Sequence, residues 1–320
     1  MTHDTSPIVS SRIASGVTFA VAGAASFAMS GPLAKGLIGA GWTAGSAVTA
    51  RVLIAAAVLA VPAALSLRGR WHLLRANAVL IVVYGLIAVA ACQLAFFNAV
   101  DRMQVGVALL IEFTCPVAVL VWMWWRHGQR PSRLTTTGAV LAIGGLFLVL
   151  DLTSGAEIAG LGLVWAFGAM LAAAVYWILS ADEGNGLPGI ALAAGGMTVG
   201  GLTLLAAGLV GVIPFSASQD DVELAGGTFV WWLPLAVLGV LTAGLAYVLS
   251  IEGSRRLGSR LGSFVGLVEA VFGVFFAWLL LSEAPRVIQL LGGALILAGV
   301  VAVRLGEPRV ESAPPEGSTP

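Results

Sequence analysis

The sequence predicts an all-α integral membrane protein, with ten transmembrane helices forming two inverted five-helix repeats around a central cavity. Three observations carry that expectation. Of 320 residues, 59% are hydrophobic and only 10% charged, too little charge to cover a soluble domain of this length. Apolar runs recur along nearly the whole chain, each long enough to cross a hydrocarbon layer of roughly 30 Å as a helix. The third observation is an internal repeat.

Apolar runs read against polar breaks give spans at 13–31, 43–65, 77–99, 103–125, 134–152, 159–180, 188–213, 229–251, 261–282 and 287–304. Short connections leave no room for an extramembrane domain between them. The expected organisation is a cytoplasmic tail (1–12), a first repeat (13–152), a second repeat (159–304) and a disordered cytoplasmic tail (305–320) rich in Pro, Glu and Ser. The opening "MTHDTSPIVSSR" is polar and lacks the basic start of a secretory signal.

The repeat is visible by eye. "IEFTCPVAVLVWMWW" and the following "TTTGAVLAIGGL" resemble "VEAVFGVFFAWLLLSEAP" and "LLGGALILAGV", with Glu112 on Glu269 and Gly138 and Gly144 on Gly293 and Gly299. Upstream, "YGLIAVAACQLAFFNAVDRM" lies over "LGVLTAGLAYVLSIEGSRRL", Gly85 on Gly239. Five spans per copy is an odd number, so the second copy must lie upside down. Cytoplasmic loops carry excess Lys and Arg, and an inside N-terminus puts twelve basic residues on that side (Arg12, Arg68, Arg70, Arg75, Arg126, Arg130, Arg133, Arg255, Arg256, Arg260, Arg304, Arg309) against three outside (Lys35, Arg102, Arg286). Matching loops also switch sign: the loop after the second span has three Arg, and its counterpart after the seventh carries Asp220, Asp221 and Glu223. As interfacial rings, Trp42, Trp231 and Trp232 mark the outer boundary, and Trp124, Trp125 and Trp177 the inner one.

Three ionisable residues lie deep in spans: Arg51, Glu112 and Glu269. Each costs on the order of 2.5–3.5 kcal/mol at a helix centre and needs a partner or a cavity. Helix rise places Arg51 and Glu112 each about 12 Å below an outer end, at a depth where they could pair, and Glu269 about 12 Å above an inner end. Pro116 has no N–H, so the carbonyl four residues earlier, that of Glu112, loses its helical partner. The corresponding place in the ninth span is Gly273, also weak as helix, beside a Gly258, Gly262, Gly266 ladder that allows close helix approach. Loosened helices near the midplane of an inverted repeat mark a transporter's substrate site, so Pro116 and Gly273 read as helix breaks beside it. Glu112 and Glu269 read as substrate or proton sites, with a protonated carboxyl bonding a neighbouring helix as the alternative. Arg51 reads as a substrate contact or as a structural counter-ion of Glu112. Gln93, Asn98, Thr114, Tyr176 and Tyr247 could line a polar path, or simply pack.

Absences narrow the chemistry. His3, His72 and His127 fall outside the spans, and Cys92 and Cys115 lie in apolar runs as small hydrophobes, so no intramembrane metal motif exists. There is no P-loop, dinucleotide fingerprint or GxSxG elbow, and hence no cofactor and no ATP-driven transport within this chain. Zero net charge leaves no basic footprint for nucleic acid.

Arg51, "LLIEFTCPVAVLVW", "LLLSEAP" and "GGALILAGV" together resemble the drug/metabolite transporter superfamily, specifically its EamA-type carriers, over roughly residues 13–304. "ALLIEFTCP" looks like the threonine/homoserine exporter branch, where an acid likewise precedes the proline. The resemblance implies a multi-pass cell (inner) membrane carrier, a monomer or homodimer in lipid, that exports amino acids or related small metabolites against inward proton flow. One departure stands out: the first half has "RHGQRP" where the second has "SEAP", so the family's acidic loop signature survives only at Glu283. Other readings are a carrier for a drug, nucleobase or organic cation, an intramembrane enzyme, or an accessory membrane protein. An enzyme would want clustered polar groups near one interface, whereas here the deep charges sit on three separate helices.

Overall fold

Residues 6–100, 102, 105–150, 160–282 and 284–306 are described by a computed structural model. Glu283 and both tail ends, 1–5 and 307–320, lie outside the described residues. Helices dominate. The first stretch comprises α1 (Ser6–Ala28), α2 (Ser30–Gly39), α3 (Ala44–Ser66), α4 (His72–Ala76), α5 (Ala78–Val83), a π-helical segment π1 (Tyr84–Ala91) and α6 (Cys92–Val100). Next come α7 (Val105–Glu112), α8 (Cys115–His127), α9 (Arg133–Leu150), α10 (Gly160–Ser180) and α11 (Gly189–Leu209). A hairpin of β1 (Val222–Leu224) and β2 (Gly227–Phe229) precedes α12 (Trp232–Gly239), π2 (Val240–Leu245), α13 (Ala246–Gly266), α14 (Val268–Leu281) and α15 (Val287–Gly306).

Among the described residues, seven helical stretches are long and apolar enough to cross a membrane: Arg12–Gly39, Ala44–Ser66, Ala78–Phe96, Gly160–Ser180, Gly189–Leu209, Trp232–Gly266 and Val287–Gly306. The count is lower than the ten expected because helices break. The fourth apolar run is divided into α7 and α8, while Arg133–Val149 and Val268–Leu281 are apolar but shorter. Trp232–Gly266 contains a kink at Gly258, whose φ of 78° and ψ of 163° belong to a region essentially reserved for glycine. Large apolar side chains such as Val79, Leu209 and Trp125 point outward at 77%, 77% and 80% exposure, as lipid-facing side chains do.

Glycine controls how the helices meet. In α9 and α15, a Cβ at Gly138 would come within 2.6 Å of the Gly299 carbonyl oxygen, and the reverse holds equally. Gly145 and Gly292 face each other the same way one stretch along. Backbones this close exchange dispersion over a long seam, the main attraction between helices that share an apolar solvent. A second reciprocal pattern links π1 and α12 to the neighbouring helices. Gly85 lies against Val199 of α11, and Gly239 lies against Ile54 of α3. The main helix pairings are α9 on α15, α1 on α13 and α3 on α11.

The hairpin departs from an all-α expectation. Its antiparallel register pairs Val222 with Phe229 and Leu224 with Gly227, and Ala225 and Gly226 turn it with φ of 52° and 71°, the left-handed pair that suits a two-residue turn. Alternation buries Val222 and Leu224 against Leu33, Leu37 and Trp42 while Glu223 stays exposed. The Ala225 amide donates to the Leu280 carbonyl at 2.6 Å. Two alternating apolar residues are too short a signal to read as a strand. Polar links tie the loop after α10 to other elements, among them the Arg12–Glu183 ion pair at 2.8 Å from α1 and an Asn77 donation to the Asn185 carbonyl at 3.2 Å.

Candidate functional site

A cavity of about 230 Å³ lies at the centre of the bundle, lined by residues from α1 to α3, π1, α6 to α8, α10, α13 and α14. All three deep charges, Arg51, Glu112 and Glu269, line it, as do Gln93, Tyr176 and Tyr247.

Arg51 comes from α3, whose start is capped by Thr43 Oγ1 accepting from the Ser46 amide at 3.3 Å. Ser46 in turn bonds the Ser216 carbonyl closely, anchoring this helix end to the loop after α11. The Arg51 side chain is 8% exposed. Its Nη2 donates to the Thr242 carbonyl at 2.6 Å, inside π2. A π turn departs from the regular i→i−4 ladder and recurs at functional sites. The Phe27 ring lies 5.8 Å from the Arg51 Cζ, within cation–π range. Arg51 Nε is buried and makes no hydrogen bond.

Glu112 is the last residue of α7, and Pro116 stands in the first turn of α8, so the chain leaves helical geometry at Phe113 and Thr114 between them. The Cys92 thiol donates to Glu112 Oε1 at 3.5 Å and stands 3.7 Å from the Ala169 carbonyl oxygen. Glu269 lies in the first turn of α14, immediately after a break at Leu267. The two aligned acids therefore occupy opposite ends of helices, Glu112 a C-terminus and Glu269 an N-terminus. Among the described residues Glu269 receives no hydrogen bond, and neither acid forms a contact ion pair with Arg51. The expected Arg51–Glu112 pairing is thus absent. The guanidinium goes instead to the Thr242 carbonyl of π2.

Aromatic rings form one continuous wall. Phe27 meets Tyr247 edge to face at 5.0 Å, Tyr247 meets Tyr176 at 5.5 Å, and Tyr176 meets Trp177 at 5.2 Å. The Tyr176 hydroxyl, near Ser180 and Ser250, closes no hydrogen bond of good geometry.

Three expected positions fall elsewhere. Asn98 is away from the cavity: its Nδ2 donates to the Leu94 carbonyl at 2.8 Å and its Oδ1 accepts from Arg102 at 3.1 Å, closing the end of α6. Thr114 donates to the Ile111 carbonyl at 2.6 Å and lines a separate apolar groove with Met170 and Trp122. Gly273 sits inside unbroken α14, and the interruption falls six residues earlier at Leu267. A helical glycine with open space around it is tolerated, whereas Leu267 follows the glycine ladder on which Trp177 packs. That packing explains why Trp177, expected at a lipid interface, lines the cavity instead.

Sequence reasoning also passed over cavity residues. Cys92 and Cys115 were read as packing, yet both line the cavity. Phe27, Ser250 and Ser263 were not singled out. The repeat contained one usable signal: Gln93 aligns with Tyr247 and Phe96 with Ser250, and all four line the cavity. Among the described residues, no group of three or more His, Cys, Asp or Glu could hold a metal ion. A site of this kind offers opposite charges, two acids and an aromatic wall to a solute, with no activated nucleophile.

Known proteins similar to this chain include named transporters. The chain is 30% identical over 200 residues to the uncharacterized transporter YcbK of Bacillus subtilis, covering 61% of this chain and 62% of that protein. It is 26% identical over 233 residues to the threonine/homoserine exporter RhtA of Escherichia coli K12, covering 69% of each. The match thus spans less than two thirds of YcbK and slightly more than two thirds of RhtA. A solved crystal structure at 18% identity superposes with a TM-score of 0.73 over 95% of this chain and 99% of that one, which shows a shared fold. The EamA-like transporter family matches twice, over residues 14–151 and 160–305, each segment contributing lining residues to the cavity. A chain matched by that family over both halves, with its deep charges on a shared cavity, belongs to the EamA-like transporter family.

Proposed function

We propose that this protein is a proton-coupled exporter of amino acids or related small metabolites, working by alternating access between two inverted five-helix halves of ten spans in all. The observation that carries this reading is the single cavity lined by Arg51, Glu112 and Glu269 from both family-matched segments. Reciprocal packing supports the inversion. Gly85 lies on α11 and its aligned partner Gly239 on α3, and equivalent helices α3 with α11 and α9 with α15 pair with each other, as a pseudo-dyad in the membrane plane requires. Helices interrupted at Phe113 and Leu267 beside the acids supply the loosened backbone expected of a midplane site.

The halves are residues 13–152 and 159–304, and the skew of Arg residues favours cytoplasmic termini in the cell membrane. Glu112 and Glu269 provide the sites for a coupling proton and a substrate ammonium, and Arg51 provides the site for a substrate carboxylate, with Gln93, Tyr176 and Tyr247 as neutral lining. At about 230 Å³ the cavity lies below the roughly 300–1,000 Å³ of drug-sized sites, which favours a small metabolite over a drug. The exporter names of the relatives favour amino acids. The protein works as a monomer or homodimer in lipid and needs protons, a small-molecule substrate and no cofactor.

The test is reconstitution into liposomes with labelled threonine and homoserine. The expected result is counterflow of one or both, with accumulation driven by an imposed pH gradient and abolished by a protonophore. Counterflow indifferent to the gradient removes proton coupling. Full gradient-driven transport in Glu112→Gln removes Glu112 from the site.

A further inference from the structure

Building on that carrier reading, we propose that Arg51 and Glu269 are the two poles that grip a zwitterionic amino acid, with Glu112 outside the grip. Both poles face one cavity, and they come from different family-matched segments. Opposite charges in a low-dielectric space attract strongly, yet these two form no contact ion pair. Arg51 is held by neighbouring elements and Glu269 by its own helix. The Arg51 guanidinium is tied to the Thr242 carbonyl and covered by Phe27, while Glu269 is fixed in the first turn of α14. What remains between them is a gap with a cation at one side and an acid at the other, the arrangement an α-amino acid completes with its carboxylate and ammonium.

Three further observations favour this gap over the Glu112 side. Arg51 is more than nine-tenths buried and its Nε has no partner, which suits a ligand carboxylate better than a purely structural arginine. Glu269 lies in the first turn of α14, and a helix N-terminus favours an anion there. The faces and edges of Tyr247 and Tyr176 continue from Phe27 along the same wall and offer a surface to an ammonium. Glu112, by contrast, already accepts from the Cys92 thiol, whereas Glu269 receives no hydrogen bond among the described residues.

The proposal is tested by competition binding on purified full-length protein in lipid nanodiscs, using labelled threonine as probe. The competitors are threoninamide, which lacks the carboxylate, and N-acetylthreonine, which lacks the ammonium. In the wild type each should compete at least about tenfold more weakly than threonine, the scale of one lost charge-assisted hydrogen bond. In Arg51→Gln, threonine and threoninamide should come within about twofold of each other while N-acetylthreonine stays discriminated. In Glu269→Gln the pattern should reverse. If Glu112→Gln instead of Glu269→Gln removes the discrimination against N-acetylthreonine, the assignment is overturned while the carrier reading stands. Wild-type protein that binds neither threonine nor homoserine overturns the amino-acid reading and this inference with it. Should Arg51→Gln fail to assemble, Arg51→Lys tests the same pole: a drop of about threefold or more in discrimination against the amide supports it, and an unchanged ratio overturns it.

Discussion

The Arg51 guanidinium donates to the Thr242 carbonyl at 2.6 Å, joining α3 of the first family-matched segment to the π-helical turn of the second. A buried cation and a buried backbone acceptor satisfy each other across the cavity wall. That contact is at once structural and placed to orient the charge toward solute.

Arg51→Ala leaves a buried carbonyl without this donor, a loss of about 1–3 kcal/mol. Thermal unfolding of the purified protein should show a lower midpoint, with transport abolished. Arg51→Lys keeps the charge and one donor, so its midpoint should fall less.

Gly138 and Gly144 should respond in opposite directions to alanine. A Cβ at Gly138 meets the Gly299 carbonyl oxygen and the Val303 amide at 2.6 and 2.7 Å, both backbone atoms that cannot step aside. Gly138→Ala should therefore separate α9 from α15 and lower the yield of monodisperse protein by size-exclusion chromatography. Nothing lies within 4 Å of a Cβ at Gly144. There, alanine should be neutral or raise stability by about 0.5–1 kcal/mol through helix propensity.

Gly258→Ala tests the kink. With φ of 78° and ψ of 163° the position is essentially restricted to glycine, and any side chain costs about 1–3 kcal/mol. Since no atom lies within 4 Å of its Cβ position, the loss in unfolding midpoint reports backbone strain alone.

Cys92 is half-buried, on the cavity and in contact with Glu112. In a Cys115→Ala background, a small water-soluble thiol reagent should label it and block counterflow, and bound substrate should slow labelling several-fold. Cys92→Ser keeps a donor to Glu112 and should transport within about twofold of wild type while resisting the reagent. Mass spectrometry of the labelled protein reads the outcome directly.

Which parts of this were legible beforehand follows from the range of the forces involved. Hydrophobicity acts residue by residue, so membrane class, helical content and the apolar runs could be read from composition and run length. Burying a charge in lipid is costly enough that Arg51, Glu112 and Glu269 stood out with no structure at all. Gln93 and Tyr247 stood out as polar residues in apolar spans, and both line the cavity.

What the chain alone left open was everything set by a partner distant in sequence. Arg51 and Glu112 share a computed depth, but depth is one coordinate of three. Direction was decided when the Thr242 carbonyl, 191 residues away, took the guanidinium. Asn98 and Thr114 are polar in apolar runs, as lining residues are, yet each found a carbonyl three or four residues back along the chain. Glycine weakness pointed to Gly273, while the packing of Trp177 over the Gly262 and Gly266 ladder accompanied a break at Leu267. Local sequence thus determined that this is a helical membrane chain with a few sheltered charges. Tertiary structure alone decided which partners hold those charges around one cavity, because hydrogen bonds and close packing depend on ångström-scale placement that no one-dimensional pattern encodes.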